Sequence, residues 1–209
     1  MMLKEQGGIP QAALPLAAFR AHLRLPEGVP SGPHEEVEEA ALERALRAAI
    51  AAIEARSGKA LIARTFELQL TRWRDAQAQL LPVAPVAQID TVVLRDAEGM
   101  AEPVDPARWR LEPDLHRPAL VASAMLLPQI PRGSRAEIVF QAGFGAGWDD
   151  LPADLAQAVM MLAAQYWEER HAGASHAAGP GAAVPFGLAA LVDRWRVPRG
   201  FGIGGRAGR

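Results

Sequence analysis

Apolar residues recur with a helical period in two long segments of the chain. The first segment, 34–57, carries a single apolar stripe made of Leu42, Leu46, Ala49, Ile50 and Ile53. Glutamates crowd its first turns, where the helix dipole favours negative charge. Gly58 suits the left-handed position that follows a helix. The pattern therefore predicts a long amphipathic helix over 34–57.

The second helical segment, 152–171, is apolar on two sides, whereas a one-sided surface helix needs only one stripe. One stripe consists of Leu155, Val159, Leu162 and Tyr166, and the other of Ala156, Met160, Ala163 and Trp167. The second stripe is a candidate subunit interface, if the helix is sandwiched between its own core and a sister subunit. The alternative is a central core helix in a monomer, and the pattern alone favours neither.

Between these helices, in the region 61–142, the period changes to two. Residues 65–71 alternate as a half-buried strand. Further strands are expected at 89–95, 109–112, 119–122 and 135–141, with a hairpin turn at 97–99. Because many prolines interrupt this region, we predict a small, loop-rich and mostly antiparallel sheet with poor central strands.

The remaining segments predict short or flexible elements. Residues 1–14 are expected to be a flexible arm, and 16–25 a short helix within a core spanning 15–171. The Gly/Ala/Ser/His/Pro segment 172–184 is typical of a linker. It leads to a C-terminal arm, 185–209, with a short helix and a Gly/Arg tail. The predicted fold class is α+β, with two main helices packed together.

Composition excludes several classes of protein. The 209 residues suffice for one domain with extensions, and the net charge of -2 gives no overall argument for nucleic acid or membrane binding. Zero cysteines exclude disulfides and thiol chemistry. The N-terminal apolar run is broken by prolines, whereas a signal peptide needs an unbroken apolar core. No apolar window is long enough for a membrane span.

No reaction centre is apparent. The five histidines lack metal-ligand spacing, and no serine lies in a nucleophile elbow. The glycine-rich run 143–147 follows a strand and precedes a helix, but it lacks the Lys-Ser/Thr of a phosphate loop, so we interpret it as a turn. We expect no enzymatic activity, no metal and no cofactor.

The C-terminal tail concentrates positive charge, with no acid from 194 onward. Its arginines are interleaved with Trp195 and Phe201. Three interpretations stay open: a docking peptide that folds on a partner, weak nucleic-acid contact through phosphates and stacking, or a solvated tail.

Five segments in order resemble the head–tail connector (adaptor, or head-completion) proteins of long-tailed phages and of phage-derived gene transfer agents. They are LAAFRAHLRL, AAIAAIEARSGKALIARTFEL, IVFQAGFG, LPADLAQAVMMLAAQYWEERHA and VPFGLAALVDRWRV, and together they span roughly 14–198. The resemblance implies a non-enzymatic virion structural protein. It would assemble in the bacterial cytoplasm and then occupy the neck of the particle.

The resemblance further implies a ring, normally twelvefold, that docks under the portal, extends the DNA channel and meets a stopper or tail-terminator protein. Non-specific contact with channel DNA would be possible, and membrane contact is not expected. Since the arm offers an apolar helix followed by arginines without evident acidic partners, we predict that it binds the portal. The candidate portal-binding residues are Phe186, Leu188, Leu191, Trp195, Arg196, Arg199, Phe201, Arg206 and Arg209. The alternative function is a monomeric nucleic-acid-binding module that uses this tail.

Overall fold

The computed structural model describes residues 1–25, 33–171 and 186–196, and it confirms an α+β fold. The helices of these ranges are α1 (Leu16–His22), α2 (Pro33–Ser57), α3 (Ala153–His171) and α4 (Phe186–Asp193). The strands are β1 (Met2–Gln6), β2 (Arg64–Leu70), β3 (Ala78–Leu80), β4 (Val86–Arg95), β5 (Ala101–Pro103), β6 (Trp109–Glu112), β7 (Ala119–Ala122) and β8 (Arg135–Ala142).

The strands form two antiparallel sheets. The five-stranded sheet has the order β1-β2-β8-β4-β5, and the three-stranded sheet the order β3-β7-β6. The expected hairpin turn at 97–99 connects β4 to β5, with Arg95 opposite Ala101. The prediction of poor central strands is wrong, because β8 pairs along its length with both β2 and β4. Most prolines of this region lie in its loops instead. Pro103 lies on an edge strand, where a missing N–H is tolerated.

Strand β1 replaces part of the flexible arm predicted for 1–14. It pairs antiparallel with β2 at the edge of the larger sheet, although all five of its residues are exposed. The Arg64 guanidinium joins it to the body, donating to Glu5 Oε2 at 3.2 Å and to Glu54 Oε2 at 2.7 Å. Backbone pairing and this ion pair therefore order a segment that buries no side chain.

The helices form a layer with its own hydrophobic core. The stripe predicted on α2 is buried, since Leu42, Leu46, Ile50 and Ile53 are each at most 1% exposed. They pack against α3, together with Phe19 of α1. Helix α1 ends earlier than the predicted residue 25, because Arg24 adopts a left-handed φ of 56°.

The glycine-rich run after β8 is a turn that joins the sheet to the helical layer. Gly143 has a φ of +142°, and a Cβ there would lie 2.3 Å from the Ala63 Cα. Phe144 N donates to Leu61 O at 3.1 Å, and Ala63 N donates to Gly145 O at 2.7 Å. These glycines thus serve close backbone packing. Among the described helices, none is both long and apolar enough to cross a membrane.

Candidate assembly interface

The C-terminal helix α4 packs against α3 and α2 of its own chain. Leu188 and Val192 are fully buried in the helical core, and Trp195, just after the helix, is 7% exposed. Leu191 is only partly buried. The apolar residues predicted to anchor the portal are therefore largely covered by the chain itself.

Trp195 is held by three neighbours. Its ring packs edge-to-face on Phe144 at a centroid distance of 5.4 Å, and its Nε1 donates to Asp154 Oδ2 at 2.8 Å. The same carboxylate oxygen pairs with Arg194 Nε at 2.8 Å, and the Arg194 guanidinium lies over the Trp195 ring. Asp154 stands in the first turn of α3, where the helix dipole stabilises a carboxylate. One acid thus fixes the turn that follows α4.

Two arginines of the arm have acidic partners, which corrects the sequence-based expectation that the arginines have none. Arg194 pairs with Asp154, and Arg196 pairs with Asp193 across one helical turn at 3.3 Å. Sequence reasoning missed the first pair because its members are forty positions apart (194 − 154). The remaining predicted residues of the tail, Arg199, Phe201, Arg206 and Arg209, lie outside the described residues. For Phe186 the structure describes the backbone alone.

A buried lysine lies beside the arm. Lys59 is 1% exposed, and its Nζ donates to the Leu115 carbonyl and lies 3.1 Å from His116 Nδ1. Burial lowers the pKa of Lys59 to about 8, against the attraction of Asp114. Burial and the Lys59 charge also lower the pKa of His116, against Asp114 and a hydrogen bond with the Trp195 backbone. The 114–116 loop therefore connects Lys59 to Trp195.

Stability should depend on the protonation of Lys59. Its pKa in the folded chain, about 8, is below the ordinary 10.5, so the unfolded chain binds more protons between these values. The cost of burying the charge is present below about pH 8 and is lost as the pH rises through this window. From pH ~7 to pH ~10 the unfolding free energy of the wild type should rise by ~2 kcal/mol relative to Lys59→Met.

Urea titrations across this range would measure that difference. Lys4→Met is the matched control, because Lys4 is the other lysine of the chain and is exposed. An equal pH dependence for the two variants would contradict a charged, buried Lys59.

The four residues predicted for the subunit interface lie on α3. Met160, Ala163 and Trp167 are 8%, 0% and 9% exposed and belong to the helical core, and Ala156 is partly buried against it. Both stripes of α3 are thus covered within the chain. The structure places this helix as the central core helix of the alternative interpretation, and contact with a sister subunit stays a prediction.

Several exposed apolar side chains lie instead in loops of the β-region, where no periodic pattern marks them. Met100 is 74% exposed, and Met125 and Leu126 are 82% and 54% exposed. Such residues could have been noticed only as apolar positions outside any helix or strand pattern. Among the described residues, no group of three metal-ligating side chains occurs.

Three solved gene transfer agent (GTA) assemblies contain chains similar to this one. A chain in the neck of the empty GTA particle, computed with C6 symmetry, is 52% identical with a TM-score of 0.84, over 99% of this chain and 100% of that chain. A chain in the neck of the native particle, computed with C12 symmetry, is 51% identical with a TM-score of 0.80, at the same coverage.

The chain belongs to the head–tail connector family of GTA particles. A chain in the virion of the native particle supports this assignment, with 54% identity and a TM-score of 0.82 over 97% of the connector and 98% of that chain. No protein-family model and no curated protein matches the connector. The resemblance based on five segments is thereby confirmed.

Proposed function

We propose that this connector forms a twelvefold ring in the neck of a GTA particle, between the portal and the stopper or tail-terminator protein. The observation that carries the proposal is the identity of 51% or more, over nearly the whole chain, to chains in necks computed with C6 and C12 symmetry. A ring on the particle axis would surround the DNA exit path. The work of such a protein is assembly, so no catalytic residue is assigned.

We infer that the C-terminal arm contacts the portal. Leu188 and Trp195 are buried, so in this proposal they hold α4 in place on α3. The surface offered to the portal is the turn that follows α4, where the Arg194 and Arg196 side chains are 67% and 44% exposed. Interface energy usually concentrates in a few aromatic and arginine residues, which suits two exposed arginines on either side of a buried tryptophan.

The ring is tested by removing the gene from a producing strain and imaging the particles by cryo-electron microscopy. Without the connector, heads should lack tails and should have lost DNA. Complementation with the wild-type gene should restore tails and place twelve copies of the chain beneath the portal. Normal tails in the deletion strain, or a neck without density for this chain, would refute the proposal.

A further inference from the structure

The end of the β-region far from the helices carries an apolar groove. The loops that follow β2 and precede β8 form it, and its volume is about 380 Å³. The residues that line it include Arg72, Trp73, Ala76, Leu126, Leu127 and Ile130. Met125 and Leu126 are adjacent and both exposed at this loop, and apolar side chains that cluster on a surface are a feature of contact sites.

The groove is preformed by contacts between its two loops. The Trp73 indole Nε1 donates to the Pro128 carbonyl at 2.6 Å, and Leu127 N donates to the Ala76 carbonyl at 2.8 Å. These bonds hold the walls in place before any partner arrives. Little ordering entropy would therefore be lost on binding.

The surroundings of the groove are basic on balance, because its two loops carry three arginines and one acid, Asp75. Arg72 lines it, and Arg74 and Arg132 lie on the same two loops; all three are exposed. None of the three forms an ion pair with another residue in the described ranges. A partner with an apolar side chain flanked by carboxylates would therefore fill the groove and pair with these arginines.

The β4–β5 hairpin of the same chain has this chemistry. Met100 is 74% exposed at the hairpin, and the neighbouring Glu98 and Glu102 are exposed and form no ion pair with a described residue. The tip is rigid, because Met100 N donates to Asp96 Oδ1 at 2.7 Å and Arg95 Nη1 donates to the Gly99 carbonyl at 2.8 Å.

The hairpin and the groove lie at the same end of the larger sheet but at different places across it. Arg95 at the end of β4 pairs with Arg135 at the start of β8, and Leu70 at the end of β2 pairs with Ala136. Strand β2, which leads into the groove, and strand β5, which follows the hairpin, are three strand spacings apart in the sheet, a distance of about 14 Å. Met100 does not fill the groove of its own chain, as its exposure shows.

We propose that the Met100 hairpin of one connector inserts into the groove of the next copy in the ring. This inference rests on the ring of the proposed function. A head-to-tail ring needs two different, complementary surfaces on each subunit. The hairpin and the groove are complementary in charge and in apolar character, and their common level at one end of the sheet suits neighbours that stand side by side.

Disulfide cross-linking tests the contact directly, because the natural chain has no cysteine. In purified particles that carry Met100→Cys with Leu126→Cys, mild oxidation should give a ladder of covalent species beyond the dimer. Each single variant is the matched control, because one cysteine per chain gives dimers at most. A neck that retains its ring but yields no ladder would overturn the contact and leave the ring standing.

Charge reversal provides a second test that does not depend on disulfide geometry. Arg72→Glu and Glu98→Arg should each lower the yield of tailed particles about tenfold, and the double variant should recover most of it. Both positions are exposed, so the monomer should melt as the wild type does. Equal loss in the single and double variants, or cross-linking of the hairpin to a different neck protein, would contradict the proposal. If no ring forms in the wild-type particle, the proposed function is contradicted as well as this contact.

Discussion

Truncation after Val184 should leave a folded connector core and should abolish the attachment of tails to heads. The truncated chain loses the exposed arginines that follow α4, and it also loses Leu188, Val192 and Trp195 from the helical core. Burial of one such side chain contributes about 1.5–3 kcal/mol, so the truncated chain should melt at a lower temperature than the wild type. Counts of particles and of tails measure the loss of attachment, and thermal melts of the purified chain measure the loss of stability.

Two further variants divide the arm into smaller parts. Truncation after Arg196 keeps the whole of α4 and removes only 197–209, so it reports on the Gly/Arg tail alone. Trp195→Ala keeps the tail and removes the ring packed on Phe144, and it should reduce tailed particles only partially. If the chain truncated after Val184 still supports normal tails, the arm is not the portal-binding element. If it loses only salt-sensitive DNA binding, the alternative function as a nucleic-acid-binding module is supported.

The helical part of this fold could be predicted closely because its signal is local. Apolar spacing gave α2 and α3 to within a residue at each end, and Gly58, which follows α2, has the left-handed φ of 71° that its position predicted. Strand β1 could not be predicted in this way. Its side chains are all exposed, so no alternation marks it, and its ion pair partner Arg64 is far away in sequence.

The assembly surfaces were harder to predict than the fold, because a sequence pattern shows that a side chain is apolar but not what covers it. The apolar residues of the arm have the predicted helical spacing in α4 and the turn after it. The structure nevertheless covers Leu188 and Trp195 with the chain's own α3 and Phe144. Met100 and Leu126 lie in turns, where no period exists to mark them. Their significance depends on which loops the sheet brings to the same end.

Met160→Glu should destabilise the fold of the connector itself rather than only weaken contact between subunits. Met160 is 8% exposed in the helical core, and a carboxylate placed there would have to be buried without a partner or protonated. Such substitutions cost about 3–5 kcal/mol, a large part of a typical unfolding free energy of about 5–15 kcal/mol. Trp167→Ala should cost a similar amount through the cavity that it leaves.

Circular dichroism melts and urea titrations of the purified chain measure this loss. Gln157→Glu is the matched control, because it adds the same charge to an exposed position of the same helix and should melt as the wild type does. Suppose instead that Met160→Glu keeps the wild-type melting transition while particles lose their tails. The second stripe of α3 would then face a neighbouring subunit rather than the core of its own chain.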